Sequence, residues 1–224
     1  MKKETFTLLE NYMLSCMQDA AHDKDHVYRV LYTAMEIAEN ENVNRDVLIA
    51  ACLLHDIARK DQMENPALCH AELGAEKAEA FLLANGFAPG FAAHVRDCIY
   101  THRFRKASPP ATMEARILFD ADKLDVAGAI GIARTLLYRA DAKEPLYTLT
   151  EDGSVSDGTG NAPPSFFHEY QFKLKNIYDR FYTEKARQLA GARRQAAEDF
   201  CRSLYEEMNA AHTTGRAALN KEIF

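Results

Sequence analysis

Four side chains of metal-ligand type stand out from their surroundings: His26, His55, Asp56 and Asp122. His55 and Asp56 end the apolar run Ala50-Ala-Cys-Leu-Leu-His-Asp-Ile-Ala58, where packing needs neither of them. An aspartate is almost never fully buried unless it is paired or bound to a metal. Asp122 lies in Asp120-Ala-Asp-Lys-Leu-Asp125, three carboxylates in six residues between apolar segments, and burying these uncompensated would be costly. Two imidazoles and two carboxylates make a mixed nitrogen and oxygen set for one divalent cation, with positions left over for water or substrate oxygens. That set suits Mn²⁺, Fe²⁺, Co²⁺ or Mg²⁺ better than a closed structural zinc site. A second His-Asp pair, His22-Asp23, sits in a polar stretch and reads as periphery.

The elements that must position these groups are helical. Apolar residues recur at three-and-four spacing over 4–20, 26–41 and 44–58, as in Val27, Val30, Leu31, Ala34 and Ile37. Asn44 is placed to cap the helix that ends at the His-Asp pair. Residues 60–69 read as a polar loop around Pro66, 70–85 as a helix closed by Asn85-Gly86, and 91–102 as a helix ending in a basic cluster. Thr112 caps the next helix, which carries the carboxylate cluster, and Gly128 and Gly131 mark a close approach of another helix. From 141 to 164 the pattern dissolves into a glycine-rich surface loop. Helices resume over 165–181 and 184–208, before a tail expected to fray. The reading is an all-α fold, 1–224 as a single domain, with C-terminal helices over about 165–209.

Composition bounds the function. The chain has 224 residues, 47% hydrophobic and 27% charged, as expected of a globular protein. A net charge of −6 argues against a broad nucleic-acid-binding surface. The first residues carry lysines but no apolar run behind them, and nowhere is there an apolar stretch of membrane-spanning length. Five widely spaced cysteines without a Cys-x-x-Cys pair read as reduced thiols. The expectation is a cytoplasmic protein with no membrane partner and no stable nucleic-acid complex; amphipathic terminal helices leave room for a homodimer.

The order His26, His55-Asp56, Asp122 resembles the H…HD…D pattern of the HD-domain metal-dependent phosphohydrolases. The flanking segments His22-Asp-Lys-Asp-His-Val-Tyr-Arg-Val30, Ala50 to Ile57, Asp120 to Arg134 and Lys173-Leu-Lys175 look like a bacterial subgroup that includes deoxynucleoside triphosphate pyrophosphohydrolases. The resemblance spans about residues 20–205. It implies an HD-domain-like helical bundle in which His26, His55, Asp56 and Asp122 bind one metal, with Asp120 and Asp125 supporting or capping. It also implies cleavage of a nucleoside triphosphate to monophosphate and pyrophosphate.

Basic residues near these ligands in sequence, Arg59, Lys60, Arg103 and Lys123, are candidates to hold the substrate phosphates, and so is His22. Asp56, as a ligand, and His102, as a phosphate contact or proton carrier, are the catalytic candidates. Some superfamily members place an acid shortly after the His-Asp pair; this chain has Arg59 and Lys60 there. Three alternatives stand beside this reading. One is a 5'-nucleotidase-like phosphomonoesterase. Another is a di-iron oxygenase, for which His94 and His102 would be the further ligands. The last is a non-catalytic sensor that binds nucleotide.

Overall fold

A computed structural model describes residues 1–17, 24–103 and 108–223. Among them the fold is all-α, with no strand; one isolated antiparallel bridge joins Leu149 and Val155. His22 and Asp23 lie outside the described residues, as do Arg105 and Lys106 of the basic cluster.

The contacts divide the chain into two compact units, residues 1–125 with 182–186, and 126–181 with 187–224. The first unit contains α1 (Lys3–Cys16), α2 (Lys24–Ile37), α3 (Arg45–Leu54), α4 (Arg59–Glu64), α5 (His70–Ala84), α6 (Pro89–Thr101) and α7 (Met113–Leu124). Its centre is α3. From Ala50 to Leu54 every residue of that helix is fully buried. A helix that is apolar all round has to be enclosed, and α3 packs against α1, α2, α6 and α7. Side chains of the size of Leu48, Leu53 and Leu54, fully buried, each contribute on the order of 1.5–3 kcal/mol by leaving water.

Two expected caps are present. The Asn44 side chain accepts from the backbone N–H groups of Asp46 and Val47, and Thr112 accepts from that of Ala115. Residues 60–69 depart from the expected loop, because Arg59–Glu64 forms α4. That helix is six residues of polar sequence with no buried face, so hydrophobic periodicity could not reveal it.

The second unit contains α8 (Gly128–Asp141), α9 (Phe166–Phe172) and most of α10 (Glu184–Ala210), followed by a π-type turn over Ala211–Gly215 and α11 (Arg216–Ile223). Its core gathers Ile132, Phe166, Phe167, Leu174 and Cys201. Gly128 has φ +72, and a Cβ there would meet Arg193 Cβ of α10 at 2.7 Å, so the close approach read from the sequence holds at Gly128; at Gly131 a Cβ would meet the backbone of Val126, just ahead of the same helix, instead of another helix. The 141–164 segment is more than a surface loop. Thr150 N donates to Ser154 O and Ser156 N to Thr148 O, and Val155 is buried in the core. The expected helix over 165–181 is shorter, ending at Phe172 before a 3₁₀ turn at Leu174–Asn176. The tail continues as α11 instead of fraying.

Candidate metal centre

The candidate ligands come together at helix ends of the first unit. The last carbonyls of an α-helix have no partner within it, and a side-chain donor can satisfy one. His55 and His102 do this at the ends of α3 and α6. His55 Nδ1 donates to Cys52 O at 2.7 Å, and His102 Nδ1 donates to Ile99 O at 2.5 Å. A carbonyl only accepts, so the proton of each neutral ring is on Nδ1 and each Nε2 presents a lone pair. His26, in the first turn of α2, is held the same way by a carboxylate, its Nδ1 lying 2.7 Å from Asp125 Oδ2.

Those lone pairs face groups that can only accept. His26 Nε2 lies 3.4 Å from His55 Nε2, 3.3 Å from Asp122 Oδ1 and 3.6 Å from Asp56 Oδ2. His55 Nε2 lies 3.8 Å from Asp56 Oδ2. None of these pairs has a proton to share, so the arrangement is repulsive without a positive charge among them. Around an ion with ligand bonds near 2.1 Å, neighbouring ligand atoms are separated by about 3.0 Å in octahedral and about 3.4 Å in tetrahedral geometry. The spacings from His26 to His55 and Asp122 match a small divalent cation, and those to Asp56, at 3.6 and 3.8 Å, are a few tenths of an ångström wider. His55 is fully buried and His26 and Asp56 nearly so, while the Asp122 side chain is 29% exposed and marks the open side.

The supporting contacts explain the rest of the carboxylate cluster. Asp125 accepts from His26 and also from Arg29, whose Nε and Nη2 lie 2.8 and 3.1 Å away. Asp120, fully buried, accepts from the backbone N–H groups of Tyr182 and Thr183 and from the Thr183 hydroxyl, which caps the start of α10. Three carboxylates near the C-terminal end of α7 oppose the helix dipole, so each needs such a partner.

The electrostatics are those of a site built around charge. Burial acts to raise the Asp56 carboxyl, but His55, His70 and Arg59 outweigh it and hold the group well below the usual carboxylate range. Burial likewise opposes ionisation of Asp122, and His26 reverses that. Burial, then the neighbouring His55, pushes the His102 imidazole down to about 3.

A second group shares Asp56. Its other oxygen, Oδ1, lies 3.2 Å from His70 Nε2 and 3.8 Å from His102 Nε2. Asp56, His70 and His102 therefore form a second cluster of metal-ligand type, as His26, His55 and Asp56 form the first. His70 was not among the candidates read from the sequence. A signal was present: as the first residue of α5 it shares the buried stripe of Gly74, Ala75 and Ala78, a poor place for an uncommitted imidazole. His94 stands elsewhere, beside Thr112 and Glu114 at 3.3 and 3.4 Å.

Among the basic candidates, Arg59 Nε lies 3.6 Å from Asp56 Oδ2, and Nη1 atoms of Arg59 and Arg103 lie 3.2 and 3.0 Å from His70 Nδ1. Both arginines thus border the clusters. Lys60 is exposed and pairs with Glu64 at 3.9 Å. Lys123 lies over the Phe119 ring.

A family model for the HD domain matches residues 24–127, which contain both clusters. YpgQ of Bacillus subtilis (strain 168) is 27% identical over 191 residues, 85% of this chain and 86% of that protein. A solved structure described as a predicted HD superfamily hydrolase, from an uncultured Thermotogales bacterium, is 30% identical. The alignment covers 89% of this chain and 90% of that one, with a TM-score of 0.61. Bacillus subtilis YpgQ in complex with ADP has the same fold, with a TM-score of 0.69 over 89% of this chain and 97% of that one, at 24% identity. Among the described residues no helix is long and apolar enough to cross a membrane.

Proposed function

The chain belongs to the HD-domain superfamily of metal-dependent phosphohydrolases, and from that premise we propose that it hydrolyses nucleoside triphosphates to monophosphate and pyrophosphate. The observation that carries the proposal is the set of imidazole lone pairs aimed at carboxylates, with basic side chains alongside. His26, His55, Asp56 and Asp122 would hold the cation. When bound, such an ion acidifies water toward neutral pH and screens the charge of phosphate oxygens.

The chain's own residues do the remaining work. Asp125 and the Cys52 carbonyl keep His26 and His55 in the tautomer that offers Nε2. Arg59 and Arg103 meet the phosphate chain from the side of His70, where their guanidinium groups stabilise charge that grows on the equatorial oxygens and the leaving group. The partly exposed Asp122 leaves the open side for the nucleotide. His102, with its proton committed to Ile99 O, supplies a lone pair and is no proton carrier in this tautomer. ADP in the complex of the Bacillus subtilis relative carries the same kind of phosphate chain.

Incubation of the purified protein with Mn²⁺ and a panel of deoxynucleoside and nucleoside triphosphates tests the proposal. Monophosphate and pyrophosphate in equal amounts are expected. Orthophosphate released from monophosphates would replace the proposal with a nucleotidase.

A second reading is favoured by one observation, the Asp56, His70 and His102 cluster, in which Asp56 would bridge two cations. The metal count decides between the readings. Two Mn²⁺ per chain keep the hydrolytic function with a dinuclear centre, whereas two irons per chain bring oxygenase chemistry forward.

A further inference from the structure

Of the four imidazoles around Asp56, three have their tautomer set by a group that can only accept: Cys52 O for His55, Ile99 O for His102 and Asp125 for His26. His70 is different, because competing partners surround its Nδ1. Gln62 Oε1 lies 2.5 Å away and can only accept, so it requires a proton on Nδ1. Arg59 and Arg103 lie 3.2 and 3.0 Å away and can only donate, so they favour a lone pair there. The two demands place the single proton of a neutral ring on opposite nitrogens. With the proton on Nδ1, Nε2 offers a lone pair toward Asp56 Oδ1 at 3.2 Å. With the proton on Nε2, that N–H donates to the Asp56 carboxylate, which also favours this tautomer in the metal-free protein, and excludes a cation from the space between them.

We propose that Gln62 is a positioning residue for this centre: by accepting from Nδ1 it selects the His70 tautomer whose Nε2 can ligate a cation shared with Asp56. The inference rests on the two-cation reading above. It also gives α4 a role. The short helix carries Arg59 and Gln62 on successive turns and presents both to the first residue of α5. Without Gln62 the acceptor is lost, and the two arginine donors beside Nδ1 drive the proton to Nε2. Groups that orient a metal-bound histidine in this way are typically worth 10- to 100-fold in metal affinity.

The test is Mn²⁺ titration of metal-stripped protein, followed by calorimetry and by the electron paramagnetic resonance signal of bound Mn²⁺. Wild type is compared with Gln62→Leu, Gln62→Glu and His70→Ala. Wild type is expected to bind two equivalents with a spin-coupled signal. Gln62→Leu should weaken the second equivalent by about 10- to 100-fold and lose the coupled signal, with the first equivalent unchanged. Gln62→Glu keeps an acceptor at that position and should restore both. If Gln62→Leu binds two equivalents as wild type does while His70→Ala binds one, the role of Gln62 is refuted and the two-cation centre stands. If His70→Ala still binds two equivalents, His70 is no ligand and the inference falls; if wild type itself binds a single equivalent, the two-cation reading falls, and the inference with it.

Discussion

Replacing Asp125 separates support of the cation site from ligation. Its carboxylate is 5% exposed and accepts from His26 Nδ1 at 2.7 Å and from Arg29 at 2.8 and 3.1 Å. Hydrogen bonds that involve a charged group contribute about 1.5–3 kcal/mol when buried. The Arg29 side chain is 34% exposed, so its pair of bonds is discounted to about 1 kcal/mol. Together with the buried bond to His26, Asp125→Ala should cost the metal-free protein about 3 kcal/mol. At roughly 2–4 °C per kcal/mol for a chain of this size, the thermal midpoint should fall by about 6–12 °C. The larger effect concerns the cation. With Asp125 gone the carboxylate that holds Nδ1 of His26 protonated is lost, and Mn²⁺ affinity should drop by about 10- to 100-fold. Arg29→Ala is the control, since it removes the exposed pair and leaves the bond to His26. Thermal denaturation in chelator and Mn²⁺ calorimetry measure the two effects. Mn²⁺ affinity within twofold of wild type in Asp125→Ala, whatever the midpoint, would refute the claim that this carboxylate sets the His26 tautomer.

Other consequences follow from the same geometry. Mn²⁺ at a hundred times its dissociation constant should stabilise the wild type by about 2.7 kcal/mol, and His55→Ala should abolish both that stabilisation and turnover; a persistent Mn²⁺-induced rise in midpoint would place the cation elsewhere. The metal-free protein should lose stability as pH falls. The buried His102 titrates near 3 in the fold against about 6.5 when unfolded, so between those values the unfolded chain binds more protons and stability increases with pH. The loss should amount to about 2–3 kcal/mol between pH 6.5 and pH 4.5, with the depressed Asp56 adding to it below about pH 4. Denaturant titration across that range checks this, and a flat profile would contradict it. Arg59→Ala should lower kcat/KM for a triphosphate by at least about 10-fold. Lys60→Ala should change it less than twofold, because Lys60 already sits in an exposed pair with Glu64. Equal losses in both variants would remove the distinction.

The sequence exposed the first cluster because its residues are chemically out of place. His55 and Asp56 directly follow the apolar end of α3, and Asp122 stands among three carboxylates at a helix end that disfavours negative charge. Helices with a clear apolar stripe, such as α2 and α5, were legible for the same reason. What escaped was information carried only by three-dimensional neighbours. His70 follows a polar segment, and only its register with Gly74 and Ala78 on α5 ties it to the interior. Gln62 lies on α4, which has no buried face to produce a periodic signal. The division into two units depends on Val155 and the α9 aromatics gathering a core of their own, across a segment whose sequence reads as loop.

The role proposed for the His26, His55, Asp56 and Asp122 cluster is hydrolysis of a nucleoside triphosphate at its α-phosphorus. Turnover in ¹⁸O-labelled water, followed by ³¹P spectroscopy, tests it most directly. One ¹⁸O is expected in the monophosphate, none in the pyrophosphate, and no reaction after chelation. Label in the pyrophosphate, release of orthophosphate, or no product from protein with Mn²⁺ shown to be bound would contradict it.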